Sequence, residues 1–494
     1  MGFPFRPTLI AILVASAGCR TTYVEDTASA RRAFADGRFE EAYRALAEAK
    51  PAGRDRVVYH LERAVVAHTT GDWARSSGDL EEARKLVGID EEAGVVRKAG
   101  GTAATILLDE TAGPYPAEDY EKVLIPALKC VNHLLAHDPG DVHSIDRAAS
   151  AARASAELQK WLGEEHVREL AEADREAKQG GLRRDALLAD LRPRYEAQFA
   201  SLRGRAGLFQ NAFAHYLSSL VLEMTGKTDT ALIAAEKAYA LDPGFSYLRA
   251  DLLRLSAAVH DTARVEKYRA LFGAEPRAPG KDEGEAVVVY ECGLAPLKEE
   301  LAVRFPVPAG RGRLVWVKMV FPAYAARFNP AAFAALRAGE REARTEPLMD
   351  VEALAILSLR DRMPVLATKM LLRAGAKAAA QIGLQEGGRR AAGNDGGLLG
   401  LLVGILYAEL SERADLRSWL TLPRSFQMAR MVLPAGPQAL SLRVCDAGGG
   451  TMTEIPLGTW EIRPGAKRFI LLRTVGEKSF AVVGRYASER TGPN

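Results

Sequence analysis

Three histidines hold the sharpest chemical pattern in this 494-residue chain. His133, His137 and His143 stand at offsets 0, 4 and 10 of His133-Leu134-Leu135-Ala136-His137-Asp138-Pro139-Gly140-Asp141-Val142-His143, with Gly140 at offset 7. Two imidazoles one helical turn apart can share a metal, and a glycine can bend the chain so that a third joins them. A metal held this way lowers the pKa of its bound water, and a neighbouring base then takes the proton.

The spacing matches that of the metzincin zinc proteases. Their base is a Glu directly after the first histidine, and here that position is Leu134, which accepts no proton. A metal-dependent hydrolase at His133, His137 and His143 is therefore kept only as an alternative, and no metal or other cofactor is expected. The residues also read as a helix-ending turn, because Asp138-Pro139-Gly140 echoes Asp242-Pro243-Gly244. Other catalytic patterns fail. No glycine-rich phosphate loop ends in Lys-Ser or Lys-Thr, and there is no Gly-x-Ser-x-Gly elbow. All eight histidines fall at or before position 260, so the second half has no imidazole base. Asp415, Arg417 and Trp419, in Asp415-Leu416-Arg417-Ser418-Trp419-Leu420-Thr421-Leu422-Pro423, remain as a set that either binds something or pins a loop to a core. No catalytic residue is assigned.

The first half supplies helices to carry these residues. Gly37-Arg38-Phe39-Glu40-Glu41-Ala42 aligns with Gly71-Asp72-Trp73-Ala74-Arg75-Ser76, and Leu46 and Ala49 pair with Leu80 and Ala83. The offset is the roughly 34-residue period of tetratricopeptide repeats. A glycine opens the turn between two helices, an aromatic packs between them, and a small residue permits close approach. A third copy runs through Gly226, Ala231, Ala235, Ala238 and Pro243. Tyr120 to Ala136, Ser144 to Leu162 and Arg194 to Leu202 are apolar at helical spacing. The charged stretch 163–193 reads as a solvated helix face or arm. Residues 23 to about 273 thus read as an α-solenoid, whose concave surface often takes a protein partner.

The amino terminus reads as a targeting segment. Arg6 precedes the apolar run Thr8 to Ala17, which is shorter than the roughly 20 residues of a membrane span. It ends in Ser16-Ala17-Gly18-Cys19, which resembles the lipobox of bacterial lipoproteins, with Ser16 where that pattern prefers Leu. The resemblance implies cleavage before Cys19, lipid on its thiol and, since Arg20 is not Asp, outer-membrane sorting. Cys130, Cys292 and Cys445 lie far apart and suggest no disulfide framework. With 66 basic and 63 acidic side chains and a net charge of +3, nothing electrostatic points to nucleic acid.

Composition changes at Pro276-Arg277-Ala278-Pro279-Gly280, a linker-like stretch. Beyond it, Ala286 to Tyr290, Arg313 to Val320, Phe426 to Leu433, Ala439 to Cys445, Gly458 to Ile462 and Arg468 to Leu472 read as strands, with Pro434-Ala435-Gly436-Pro437 as a hairpin turn. Pro330 to Leu336, Val351 to Leu359 and Pro364 to Ile382 read as helices. Gly396, Gly400 and Gly404 space an apolar run that is too short to span a membrane and is expected to be a buried helix. The expected architecture is multidomain: a signal peptide at 1–18, an all-α tetratricopeptide-like solenoid at 19–275, a linker at 276–285, and an α+β domain with a mainly antiparallel sheet at 286–494.

The repeat copies, Gly113-Pro114-Tyr115, Asp119-Tyr120-Glu121, Tyr290-Glu291-Cys292-Gly293-Leu294-Ala295-Pro296, Phe321-Pro322-Ala323-Tyr324 and Asp415 to Pro423 together resemble a family of uncharacterised bacterial lipoproteins with tetratricopeptide-like repeats. The resemblance runs from Cys19 nearly to the end. It implies an envelope location and partners among envelope proteins, including peptidoglycan-synthesis factors, and it carries no catalytic residues. The function expected is a non-enzymatic, lipid-anchored periplasmic scaffold or adaptor. An envelope assembly or secretion factor is a further alternative that the residues do not separate from it.

Overall fold

The structure is a computed structural model. It describes residues 23–49, 51, 53–92, 95–96, 113–138, 141, 143–200, 202, 211–308, 314–376, 378 and 413–484. Cys19 and the glycine-spaced run 396–408 lie outside the described residues.

Helices come first and are mostly paired. They are α1 (Tyr23–Asp26), α2 (Ala28–Ala35), α3 (Phe39–Glu48), α4 (Arg56–Thr70), α5 (Trp73–Val87), α6 (Asp119–Leu135), α7 (Ser144–Gln179), α8 (Arg184–Ala200), α9 (Ala212–Met224), α10 (Thr228–Leu241), α11 (Ser246–Ala258) and α12 (Thr262–Phe272). Side-chain caps start three of them: Asp72 accepts from Arg75 N, Asn211 from Ala214 N, and Asp261 from Arg264 N. Tight turns join α2 to α3 and α4 to α5, at Gly37 (φ 76°) and Gly71 (φ 80°). This left-handed geometry favours glycine. Gly226 (φ 75°) makes the same turn between α9 and α10. A fourth hairpin, α11–α12, turns at His260 (φ 58°), 34 residues after Gly226. Ala42, Ser76 and Ala231, each five residues beyond its glycine, are fully buried.

Strands follow. A five-stranded sheet has the order β13 (Lys478–Val483), β12 (Lys467–Val475), β3 (Glu283–Cys292), β9 (Ser425–Pro434), β8 (Glu346–Asp350). A four-stranded sheet has the order β11 (Thr451–Ile462), β10 (Gly436–Cys445), β6 (Phe333–Ala338), β7 (Arg341–Arg344). Every pairing in these sheets is antiparallel except β3 with β12. A separate ribbon pairs β4 (Leu297–Pro308) with β5 (Leu314–Ala325). A two-residue pair, β1 (Ile89–Asp90) and β2 (Val95–Val96), sits among the helices. A helix over 351–376 (α13) joins β8 to the later strands.

The five-stranded sheet is covered on both faces. Val287, Val289, Phe426, Met428, Phe469 and Leu471 point into one core with the helices. Their strand neighbours Val288, Tyr290, Ala429, Met431, Ile470 and Leu472 point into a second core with Leu336, Leu440, Leu442 and Trp460 of the four-stranded sheet. Burial on both faces explains why β3 is a continuous apolar run from Ala286 to Tyr290 rather than an alternating one. The layers are therefore helices, sheet and sheet, and the first core runs unbroken across the 276–285 stretch.

Two expectations are corrected. Residues 330–336 are not a helix. Phe333–Ala338 is β6, paired on one side with β10 and on the other with β7. Alanine's helical preference yields there to two ladders and to the burial of Ala334 and Leu336. Residues 434–437 are not a hairpin turn, because β9 and β10 belong to different sheets and the turn carries the chain from one layer to the other. Cys130, Cys292 and Cys445 are free, buried thiols. Among the described residues no helix is long and apolar enough to cross a membrane.

Candidate functional site

The three histidines are placed by the end of α6 and the start of α7, and they do not converge. His133 is largely buried, and burial, with Lys129 and Arg147 nearby, pulls its pKa down to about 4. His137 Nδ1 lies 2.6 Å from Ser144 Oγ, the first residue of α7. His143 precedes α7 and is exposed, with Nδ1 3.7 Å from Asp146. Among the described residues no group of three or more His, Cys, Asp or Glu side chains is arranged to hold a metal ion.

Asp415, Arg417 and Trp419 are brought together with the helices. Arg417 donates to both oxygens of Asp415 (2.8 and 2.6 Å), to Asp55 (3.1 Å), and to the carbonyls of Arg54 (2.9 Å) and Gly113 (3.0 Å). Its guanidinium also lies over the Tyr115 ring. Trp419 is buried. Its backbone N–H donates to Glu121 (2.8 Å), and those of Leu420 and Thr421 donate to Glu62 (2.7 and 3.1 Å). Two buried carboxylates, on α6 and α4, thus clamp one strap of the second half. Sequence reasoning did not single out Glu62, and it named Glu121 only within the motif Asp119-Tyr120-Glu121, with no role. The signal was present, since each stands on an otherwise apolar helix face, Glu62 among Val58, Leu61 and Val65, and Glu121 beside Leu124 and Leu128.

Burial pushes the Glu121 carboxyl up to about 7; Lys298 opposes this and Glu118 adds to it. Burial likewise raises Glu62. For Glu118 burial pushes upward too, but Lys298 (2.5 Å) and Arg362 (2.8 Å) overcome it and hold the carboxyl at about 2. A second seam joins α4 to β3, where His68 Nδ1 lies 2.6 Å from Asn132 Oδ1 and Nε2 2.9 Å from Glu291 Oε1. A third joins α9 and α11 to the sheet. Arg430 contacts both oxygens of Glu285 (2.6 Å each) and bonds Asp251, Lys467 bonds Glu285 (2.5 Å), and Arg254 bonds Asp251 (2.8 Å) and Glu223.

These seams, with Phe213 stacked on Phe426 at 4.7 Å, seat the helical hairpins on the sheet. A Cβ on Gly37 would lie 2.9 Å from Phe480, and one on Gly71 2.8 Å from Val482, so the hairpin turns themselves abut β13. The chain's own sheet therefore covers the side of the helical hairpins that faces it. A cleft of about 360 Å³ remains open between α8 and α13, walled by Leu188, Leu191, Tyr195, Phe199 and Met363, with Arg192, Glu196 and Arg360 beside them.

No family model matches the chain, and no curated protein does. Among solved structures the chain is similar to the TPR2AB-domain:pHSP90 complex of yeast Sti1, with 14% identity over 50% of this chain and 91% of that one, at a TM-score of 0.17. The hairpins and their 34-residue spacing rest on this chain's own geometry.

Proposed function

We propose that this chain is a non-enzymatic scaffold, cut before Cys19, held by lipid on the periplasmic face of the outer membrane, and binding envelope protein partners. The observation that supports this reading best is the hairpin array at 34-residue spacing, whose buried carboxylates Glu62, Glu121 and Asp251 dock the helices to the second half. The cleft between α8 and α13 is the place for an apolar segment of a partner. Its apolar walls suit the apolar face of an amphipathic segment.

Pull-down from detergent-solubilised envelopes tests this. The wild type is expected to retain a partner that Leu188→Glu loses while its melting temperature holds, since Leu188 is only half-buried. Recovery of the bait alone, or of the same proteins with both baits, defeats the cleft reading. Anchoring is tested separately by intact mass and membrane fractionation beside Cys19→Ala. Lipid mass and membrane association are both expected to vanish with the thiol. Two soluble, unlipidated versions would overturn the localisation.

A further inference from the structure

The β4–β5 ribbon has two unlike faces. Residues directly opposite one another across an antiparallel pair point to the same side. The rungs Val303–Met319 and Phe305–Val317 are buried in the first core, with Val307 beside them. The rungs that alternate with these are Arg304–Lys318, Pro306–Trp316 and Pro308–Leu314. On this outer face Leu314 is 56% and Trp316 66% exposed, and Arg304 and Pro308 are exposed as well. Pro308–Leu314 is the last rung, so the apolar residues stand at the far end of the ribbon and the basic rung lies directly behind them. From Val303 to Pro308 and from Leu314 to Met319, Arg304 and Lys318 are the only charged residues. The Arg183 guanidinium, over the Phe305 ring, adds a third cation on the inner side.

We infer that the end of this ribbon docks on anionic phospholipid, with Trp316 and Leu314 in the interfacial layer and Arg304 and Lys318 at the phosphates. The charge order argues for it: cations without a neighbouring acid, behind an apolar end, complement a negative surface with an apolar layer beneath it. Tryptophan is favoured at that depth. A partner strand fits less well. Proline enters a ladder only where its nitrogen faces away from the paired strand, so Pro306 and Pro308 leave the outer edge of β4 short of donors. A lipid layer also admits a projecting apolar end without a matching pocket. The contact requires neither lipid on Cys19 nor a partner in the cleft.

The test uses the full chain with vesicles of phosphatidylcholine, alone or mixed with phosphatidylglycerol. Trp73, Trp419 and Trp460 are buried and Trp161 is half-buried, and subtracting the emission of Trp316→Phe isolates Trp316. Expected on the phosphatidylglycerol vesicles are a blue shift of that emission and its quenching by brominated lipid, both weakened by added salt. Lys318→Gln should lower the docked-to-free ratio of the ribbon end about fivefold at an unchanged melting temperature, since one basic side chain near such a surface is worth about 1 kcal/mol. If Trp316 emits as in water on both kinds of vesicle, the inference falls, whether or not lipid on Cys19 holds the chain there. An equal shift on phosphatidylcholine alone, or no effect of Lys318→Gln, also overturns it, because the anionic headgroup then plays no part. If the shift appears only when envelope proteins are added, the face belongs to a protein partner and the inference falls. Leu188→Glu should leave the Trp316 signal unchanged, so failure of the cleft reading and failure of this one are distinguishable.

Discussion

Arg430→Met is expected to lower the unfolding free energy by about 3–5 kcal/mol, the usual loss when one partner of a buried ion pair is removed. Arg430 is the hub of a buried set in which the cations Arg430, Arg254 and Lys467 face the anions Asp251, Glu285 and Glu223. Burial works against charge at Asp251 and Glu285, yet the surrounding cations hold both at about 2, with Arg430 foremost in each case. Removing it leaves Asp251 to Arg254 and the Tyr216 hydroxyl, and Glu285 to Lys467 alone. Both carboxyls titrate lower folded than unfolded. Their contribution is present above the unfolded values and is lost as pH falls toward about 2. Urea midpoints by circular dichroism should therefore show less acid sensitivity in the variant below about pH 4.5. The double change Arg430→Met, Asp251→Asn should regain much of the loss, because the two remaining cations, Arg254 and Lys467, then face two anions, Glu223 and Glu285. A single-variant loss under about 1 kcal/mol, the range of an exposed pair, would mean that this seam does not hold the helices to the sheet.

The same seam shows what could be read in advance. Period and turn chemistry are local, so the Gly37, Gly71 and Gly226 hairpins were legible from spacing, as were the strand cores at 286–290 and 426–433. The fourth hairpin was missed because a histidine, His260, holds the left-handed position. β4 was missed because Pro306 and Pro308 read against a strand, although Val303, Phe305 and Val307 alternate with them and are buried. β6 was misread because its alanines favour a helix when no partner strand is in view. The strap's clamps were beyond local reading, since Glu62 reaches Leu420 over 358 positions and Glu121 reaches Trp419 over 298. A single sequence reveals only that an acidic residue stands on an apolar face, not what waits opposite it.

That clamp gives the second large effect. Glu121 titrates near 7 in the folded chain because it is buried, and its ordinary value is 4.5. With the folded value above the unfolded one, the folded state holds more protons between those limits, so Glu121 lowers stability as pH rises through that window. Complete ionisation costs about 3 kcal/mol at roughly 1.4 kcal/mol per pH unit. Raw stability curves do not show this alone. Burial draws His133 and His215 down to about 4, and these two stabilise the fold as pH rises toward their unfolded value of 6.5. The informative quantity is the difference between wild type and Glu121→Gln, in which the histidines cancel. At about pH 5 the wild-type carboxyl is neutral. The variant should then be the less stable, because the Trp419 N–H, the Glu118 N–H and the Tyr115 hydroxyl all point at Glu121 oxygens and an amide supplies only one. By about pH 8 the difference should move some 3 kcal/mol toward the variant. A difference that stays flat across that range would mean that the three donors keep Glu121 ionised throughout. The strap at 419–421 would then be held by a buried carboxylate, and raising the pH would not loosen it.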